Sequence, residues 1–287
     1  MPPRRLRLDA ELVRRGLARS REHANGLISA SRVIVNGSVA TKPATAVTTD
    51  SAVVVRPATD QPDFVGRGAH KLAGALAAFG PQGLEVSGRR CLDAGASTGG
   101  FTDVLLRAGA AHVAAVDVGY GQLAWSLRSD PRVEVHDRTN VRELTLETLG
   151  GPVDVVVGDL SFISLELVLD ALVSVTNTDG DMALMVKPQF EVGKERIGKR
   201  GVVRDVAARK EAVDRVAMAA ADRGWGARAV VASPLPGPAG NVEFFLWLQR
   251  GTTTLASGDI QRVVGDAQTT GTRRDGDAGV ADERLQR

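Results

Sequence analysis

The chain has 287 residues, of which 43% are hydrophobic and 24% are charged, with a formal net charge of +2. These proportions are ordinary for a soluble globular protein. No run of 18 apolar residues occurs and the first residues lack the apolar segment of a secretory signal, so we expect no stable membrane insertion. The single cysteine, Cys91, cannot form an internal disulfide, and we expect a buried, unreactive thiol. Together these features predict a protein of the reducing cytoplasm.

The positive charge is concentrated near the N-terminus. Within residues 1–60, ten arginines and lysines stand against five carboxylates, which leaves a net charge of +5. A local basic excess is typical of a nucleic-acid-binding module, although a solvated basic surface explains the charge equally well.

Residues 1–57 have the pattern of a small α+β unit. Two amphipathic helices are predicted, with Leu17 on the apolar face of the first and Ser20 as the N-cap of the second. The segment VIVNGSVA then predicts two short strands around an Asn-Gly turn, and SAVVV predicts another strand.

The N-terminal unit resembles the S4 RNA-binding domain. The resemblance rests on the order of its elements and on the segments LDAELVRRGLARSRE and V-VNG. In that family the two helices present basic side chains to structured RNA. The resemblance therefore implies phosphate contacts by Arg4, Arg7, Arg14, Arg15, Arg19, Arg21 and Arg32.

Three further regions follow along the chain. Residues 58–66 predict a linker, residues 67–250 a second domain, and residues 251–287, with few large apolar side chains, a mostly disordered tail. Strand-like runs in the second domain are RCLDAG, HVAAVDVG, RVEVHD, VDVVVGDL, MALMVKP, ARAVVAS and NVEFFLWL.

Helical segments separate most of these runs, which predicts an α/β fold with a mostly parallel, seven-stranded sheet covered by helices. The last two strands are joined by SPLPGPAG, which is too short for a crossover helix, so we expect them to pair antiparallel at the sheet edge. This arrangement resembles the Rossmann-like class I methyltransferases.

The glycine-rich turn DAGASTGGF follows the first strand of this sheet. Its glycines are spaced G-x-x-x-G-G, which differs from the G-x-G-x-x-G of dinucleotide sites, and no P-loop lysine follows. The next two strands end in Asp117 and Asp137, so carboxylates meet at the edge where such sheets bind ligands.

A cationic methyl donor suits these carboxylates, and S-adenosylmethionine is the predicted cofactor. A hydride cofactor and a purely structural corner remain alternatives. The predicted cofactor-binding residues are Asp93, Gly95, Ala96, Ser97, Thr98, Gly99, Gly100, Phe101, Asp117, Asp137 and Asp159.

Four charged residues indicate the reaction. Lys71 precedes the sheet, Asp159 and Lys187 end apolar strands, and Glu243 begins the last strand, on the face shared by Phe245 and Trp247. Their order and contexts resemble the K-D-K-E tetrad of the FtsJ-like ribose 2′-O-methyltransferases.

Together with the S4-like unit, residues 4–250 resemble the TlyA family of rRNA methyltransferases, which also carry the name haemolysin. The motifs are RGAHKL, LDAGASTGGFT, VDVGYGQL, DLSFISL, KPQFEVG and SP-PG--GN-E-F-W. The resemblance implies 2′-O-methylation of a cytidine in 16S and 23S rRNA of the 30S and 50S subunits.

A ribose hydroxyl must lose its proton as it attacks a methyl group. We expect Lys187 to be the base, Lys71 a second cation, and Asp159 and Glu243 the residues that orient both lysines. No metal is required, and the histidines and the cysteine lack ligand spacing. The loop after Lys187 adds basic residues for RNA contact: Lys194, Arg196, Lys199, Arg200 and Arg204.

Three other functions are alternatives to this one. A membrane-active haemolysin would need a signal or a long apolar segment, and none is present in the sequence. A non-catalytic RNA-binding assembly factor would need only the S4-like unit. A methyltransferase of small molecules would have no use for the basic N-terminal unit.

Overall fold

A computed structural model describes residues 5–29, 31–56, 64–198, 201–237 and 239–271. The chain divides into two compact units, Met1–Arg67 and Gly68–Arg287. Most of the predicted linker, residues 58–63, and the last part of the predicted tail, from residue 272, lie outside the described residues.

The first unit packs two helices against two small antiparallel sheets. The helices are α1 (Leu8–Arg14) and α2 (Arg21–Ser29), and the strands are β1 (Leu6–Arg7), β2 (Val33–Val35), β3 (Ser38–Val39), β4 (Ala46–Val47) and β5 (Val53–Val55). Strand β1 pairs with β4, and the other three strands pair in the order β3-β2-β5. The core of this unit consists of Leu8, Leu12, Ala18, Ala24, Leu27, Ile28, Val33, Ala40 and Val47.

Local signals in this unit are confirmed with one exception. Asn36 and Gly37 both have positive φ, at 49° and 85°, as a tight hairpin turn requires, and the Ser20 hydroxyl accepts from the His23 amide at 3.0 Å. The placement of Leu17 on the first helix is wrong. Because the chain turns at Gly16, with φ of 70°, α1 ends before Leu17, whose side chain is 36% exposed.

The second unit contains a seven-stranded sheet. Its strands are β6 (Arg90–Ala94), β7 (His112–Asp117), β8 (Val133–Asp137), β9 (Val153–Gly158), β10 (Thr176–Val186), β11 (Trp225–Ala232) and β12 (Phe244–Arg250). Its α-helices are α3 (Ala69–Phe79), α4 (Gly100–Arg107), α5 (Trp125–Arg128), α6 (Leu169–Val175), α7 (Pro188–Glu191), α8 (Val206–Ala221) and α9 (Ser257–Gly271). Short 3₁₀ turns lie at Gly80–Gln82, Val141–Glu143, Leu165–Leu167 and Lys194–Arg196.

The strand order is β11-β12-β10-β9-β6-β7-β8. Strand β12 is antiparallel to both of its neighbours, and the remaining pairs are parallel. The predicted fold and the antiparallel pairing of the last two strands are therefore confirmed. The order also reverses direction beside β6, since β7 follows on one side and β9 on the other, which opens a crevice beyond the carboxyl ends of these strands.

Part of the region after residue 250 is folded, whereas most of it was expected to be disordered. Residues 257–271 form α9, which buries Ile260, Val264 and Ala267 in the same core as the sheet. These side chains recur at helical spacing, so a short stripe of modest apolar residues is sufficient to fold this segment onto the domain. Within the described residues no helix has the length and apolarity that crossing a bilayer requires.

Candidate active site

The glycine-rich turn lies immediately after β6 and fixes the start of α4. The amides of Gly95 and Ala96 donate to the carbonyl of Val116 on β7, at 2.9 and 3.0 Å. Gly95 has φ of 89°, and a Cβ there would lie 3.1 Å from the carbonyl oxygen of Asp159. Gly99 has φ of 98°, and a Cβ there would collide with Leu127. The glycines thus permit close packing of the turn against the neighbouring strand ends.

Asp117, at the end of β7, closes the other side of this turn. Its Oδ2 accepts from the Ser97 amide at 2.8 Å, and its Oδ1 accepts from the Gly119 amide at 2.7 Å. The carboxylate is held by backbone groups, so its position does not depend on other flexible side chains.

A cavity of about 460 Å³ opens over the turn and Asp117. It is lined by Gly95, Ser97, Asp117, Val118, Gln122, Asn140, Val141, Asp159, Leu160, Ser161, Phe162, Ile163 and Val168. Apolar walls with a few convergent polar groups are typical of a site for a nucleoside-like ligand. Four predicted cofactor residues are in this lining, namely Gly95, Ser97, Asp117 and Asp159.

Two predicted carboxylates point elsewhere. Asp93 is fully buried beneath the turn, accepts from the Thr102 hydroxyl at 2.7 Å, and does not line the cavity. Burial raises its pKa to about 7. Asp137 accepts from the guanidinium of Arg128, which holds the pKa of that carboxyl below its usual range. The other predicted turn residues outside the lining are Ala96, Thr98, Gly99, Gly100 and Phe101.

The four residues of the tetrad come together around Asp159, which lines the cavity. Lys71 Nζ lies 2.7 Å from Glu243 Oε2 and 3.6 Å from Asp159 Oδ2. Lys187 Nζ lies 2.6 Å from Asp159 Oδ1. Asp159 therefore bridges two lysines that come from opposite parts of the chain, and both lysines are buried, at 8% and 6% exposure.

The position of Glu243 is determined by the packing of β12, the strand that follows it. Phe245 stacks on Phe101, and Trp247 on Phe79 of α3, at centroid distances of 5.9 and 5.7 Å. Glu243 contacts Lys71 of the same helix α3. It was expected to begin the last strand, but β12 begins one residue later, at Phe244. Gly237 leaves room for Glu243, since a Cβ there would lie 2.5 Å from Oε1.

Several cavity residues were missed from the sequence. Ser161 accepts from Lys187 Nζ at 2.8 Å, and Gln122 and Asn140 also line the cavity. Phe162 is 91% exposed and has φ of 65°, and its ring lies 5.4 Å from that of Phe190. An exposed phenyl ring on left-handed backbone is uncommon, and no pattern in the sequence marks it.

The basic loop after Lys187 is tied back to the segment preceding β12. Asn241, which is 2% exposed, accepts from the Val203 amide at 2.9 Å and donates to the Gly201 carbonyl at 2.8 Å. Arg196 pairs with Glu211 and, at 3.6 Å, with Asp205. Lys199, Arg200 and the side chain of Lys194 lie outside the described residues.

In the first unit, two buried carboxylates organise the predicted RNA-binding arginines. Arg7 and Arg21 each lie 3.0 Å from Asp9 Oδ2. Arg14 and Arg15 both donate to Glu11. The hydrogen bonds from Arg7 and from Arg14 lower the pKa values of Asp9 and Glu11 to about 2, so both carboxylates are ionised at neutral pH.

These arginines are unequally available for a ligand. The side chains of Arg7, Arg14 and Arg21 are more than half exposed. Arg15 is only 20% exposed and donates to the carbonyls of Thr48, Thr49 and Ser51. Arg19 and Arg32 donate to the carbonyls of Phe64 and Arg56, and Arg4 lies outside the described residues.

In the part of the chain that the structure describes, no group of His, Cys, Asp or Glu side chains is arranged to hold a metal ion. Cys91 is buried in β6, and burial raises the pKa of its thiol to about 12.

Comparison with known proteins gives matches to both units. Residues 6–53 match the S4 domain, and residues 64–250 match the FtsJ-like methyltransferase family. A protein of Mycobacterium tuberculosis named 16S/23S rRNA (cytidine-2′-O)-methyltransferase TlyA is 60% identical over 87% of this chain and 91% of its own. Hemolysin A of Brachyspira hyodysenteriae is 34% identical over 83% of this chain and 98% of its own.

A solved structure described as a hemolysin, from Streptococcus thermophilus, is similar over the whole architecture. It has a TM-score of 0.73 and 35% sequence identity, and the match covers 94% of this chain and 97% of that one.

Proposed function

The chain belongs to the FtsJ-like methyltransferase family with an N-terminal S4 domain, and from this we propose that it methylates the 2′-hydroxyl of a cytidine in 16S and 23S rRNA. The relative of M. tuberculosis carries that activity in its name. The observation that carries the proposal is the position of Asp159, which both lines the cavity and bridges the two buried lysines. A ligand-sized cavity and a base for a hydroxyl proton therefore share one residue.

The residues of the cavity fit S-adenosylmethionine. Asp117 offers a backbone-anchored carboxylate where this class of fold binds ribose hydroxyls, and Gly95 allows a ligand to approach the main chain closely. Valine, leucine and isoleucine side chains supply apolar walls for a flat base. When bound, this cofactor supplies an electrophilic methyl group.

The tetrad then has to accept one proton and place one oxygen. Lys187 takes the proton of the ribose 2′-hydroxyl at Nζ as the oxygen attacks, and Asp159 holds that amine in place. Lys71, fixed between Glu243 and Asp159, supplies a positive charge beside the oxygen as it loses its proton. Lys71, Lys187 and Glu243 are buried and Asp159 contacts both lysines, so most of the rate enhancement comes from positioning.

RNA recognition is assigned to exposed groups in both units. Arg7, Arg14 and Arg21 are held by buried carboxylates, and their side chains are more than half exposed, which suits phosphate contacts. A cytidine within a folded subunit must leave its stack to reach Lys187. Phe162 at the cavity offers a ring on which the displaced base stacks.

The test is transfer of a radiolabelled methyl group from S-adenosylmethionine to purified 30S and 50S subunits. Wild type and Lys210→Ala, a matched control on α8, should label rRNA, whereas Lys187→Ala should not. Digestion of the product should release 2′-O-methylcytidine. Absence of label with wild type on both subunits, or full label with Lys187→Ala, would contradict the proposal.

A separate comparison addresses the alternative of a small-molecule substrate. Replacing Arg7, Arg14 and Arg21 together by alanine should raise KM for the ribosomal subunit and leave cofactor affinity unchanged. An enzyme of small molecules would show no effect on KM.

A further inference from the structure

Beyond the tetrad, one hydroxyl contacts the proposed base directly. Lys187 Nζ donates a hydrogen bond to Ser161 Oγ at 2.8 Å and forms an ion pair with Asp159 Oδ1 at 2.6 Å. Ser161 and Asp159 both line the cavity, so the two groups that contact the Lys187 amine face it. We propose that Ser161 is a positioning residue that directs the lone pair of Lys187 toward the ribose hydroxyl, an inference that rests on the function proposed above.

The argument follows from the geometry of an amine. A neutral lysine has two N–H bonds and one lone pair, arranged tetrahedrally around Nζ with the carbon chain in the fourth position. The hydrogen bond of Nζ goes to Ser161, whereas Asp159 holds the amine as the charged partner of an ion pair. With Asp159 alone, the amine could rotate about its carbon–nitrogen bond and the lone pair would point toward the hydroxyl only part of the time. The hydrogen bond to Ser161 restricts that rotation.

Ser161 can serve this purpose because its segment is fastened to the same helix as Lys187. Glu191, the last residue of α7, is 4% exposed. Its Oε2 accepts from the Ser164 hydroxyl at 2.6 Å, and its Oε1 accepts from the Leu165 amide at 2.9 Å. Lys187 is the residue immediately before α7. One short helix therefore holds the amine at its start and the serine-bearing segment at its end.

The position of Ser161 also explains why its hydroxyl can be tested without unfolding the protein. Ser161 is exposed, whereas the residues that anchor its segment, Glu191 and Leu165, are buried. Removal of one exposed hydroxyl leaves these anchors in place. A change in rate can then be assigned to the contact with Lys187.

The experiment compares steady-state methyl transfer by Ser161→Ala, Ser161→Thr and a control, Ser174→Ala, whose hydroxyl donates only to a carbonyl within α6. For Ser161→Ala we expect kcat to fall by about tenfold, as for loss of one hydrogen bond, with KM values for cofactor and RNA within about twofold of wild type. Ser161→Thr retains the hydroxyl and should restore kcat. Ser174→Ala should behave as wild type.

Two results would overturn the role of Ser161. A rise in KM for the cofactor with unchanged kcat would make Ser161 a simple contact of the cavity. An equal loss in Ser161→Thr and Ser161→Ala would show that side-chain size, and not the hydroxyl, matters.

A second measurement does not depend on activity. The full-length protein is treated with a limiting amine-acylating reagent, and the modification of Lys187 is quantified by peptide mass spectrometry relative to Lys210. Loss of a hydrogen-bonding partner should make Lys187 react faster in Ser161→Ala than in wild type. Equal reactivity would refute the inference even if wild type methylated no ribosomal subunit, while faster reactivity with an inactive wild type would refute the proposed function alone.

Discussion

Asp93 allows a quantitative test of how the glycine-rich turn is built. The side chain is fully buried, its Oδ2 accepts from the Thr102 hydroxyl, and its Oδ1 has no hydrogen-bond partner among the described residues. Desolvation raises its pKa from 3.8 to about 7, with smaller contributions from the charges of Asp159 and Asp117. A carboxyl group in this position is protonated in the folded protein at pH 5, whereas it is ionised in the unfolded chain.

The sign of the effect on stability follows from linkage. Because the folded pKa lies above the unfolded value, the contribution of Asp93 is fully present below pH 3.8 and is lost as the pH rises toward 7. A shift of about three units corresponds to about 4 kcal/mol. Asp93→Asn keeps an acceptor for Thr102 and cannot ionise. The unfolding free energy of the variant minus that of wild type should therefore increase by about 2 kcal/mol between pH 5 and pH 7 and level off near pH 8, about 3 kcal/mol above its value at pH 5.

The assay is urea unfolding followed by tryptophan fluorescence at several pH values. All three tryptophans lie in the second unit, so the signal reports on the domain that contains Asp93. The asparagine amide leaves a buried donor unpaired, at a cost of about 1–3 kcal/mol that is the same at every pH. The slope with pH is therefore the informative quantity. A difference that stays constant from pH 5 to pH 8 would refute the assignment of a neutral, buried carboxyl.

Three further outcomes are expected. Phe162→Ala should lower kcat/KM for the RNA substrate about tenfold, since one stacked base is lost, without lowering thermal stability, because the ring is 91% exposed; an unchanged kcat/KM would contradict stacking. Cys91 should resist a thiol-specific reagent at pH 8 in the native protein and react once urea is added, as its pKa of about 12 requires. Val264→Ala should cost about 2 kcal/mol in urea unfolding, since this fully buried side chain anchors α9, and no change would mean that α9 does not contribute to the core.

The sequence predicted those parts of the site that lie at strand ends. Asp117, Asp159 and Lys187 each terminate or follow an apolar strand, and parallel strands of one sheet bring their carboxyl ends together whatever the intervening segments do. Glu243 could be placed for a related reason, since alternation along a strand fixes which face a residue occupies.

The remaining parts depend on contacts that no local pattern encodes. Asp137 also ends a strand, yet Arg128 from α5 pairs with it. Arg15 has the same helical context as Arg14, but its guanidinium is used by three carbonyls of a distant turn. Ser161 follows a strand by a short interval, and only the packing of α7 brings its hydroxyl to Lys187. In each case the partner of a long, flexible side chain is determined by tertiary packing and not by the local sequence.

The position of the chemistry in this fold has a topological cause. The sheet reverses its order between β6 and β9, so the connections after these two strands leave toward opposite faces and open a crevice between them. Gly95 follows β6 and Asp159 follows β9, and a side chain at Gly95 would press on the carbonyl of Asp159. Asp159 thus borders the ligand cavity and also contacts Lys71 and Lys187. Its replacement should therefore impair cofactor binding and proton removal together, whereas replacement of Asp117 should impair only the first and replacement of Lys187 only the second.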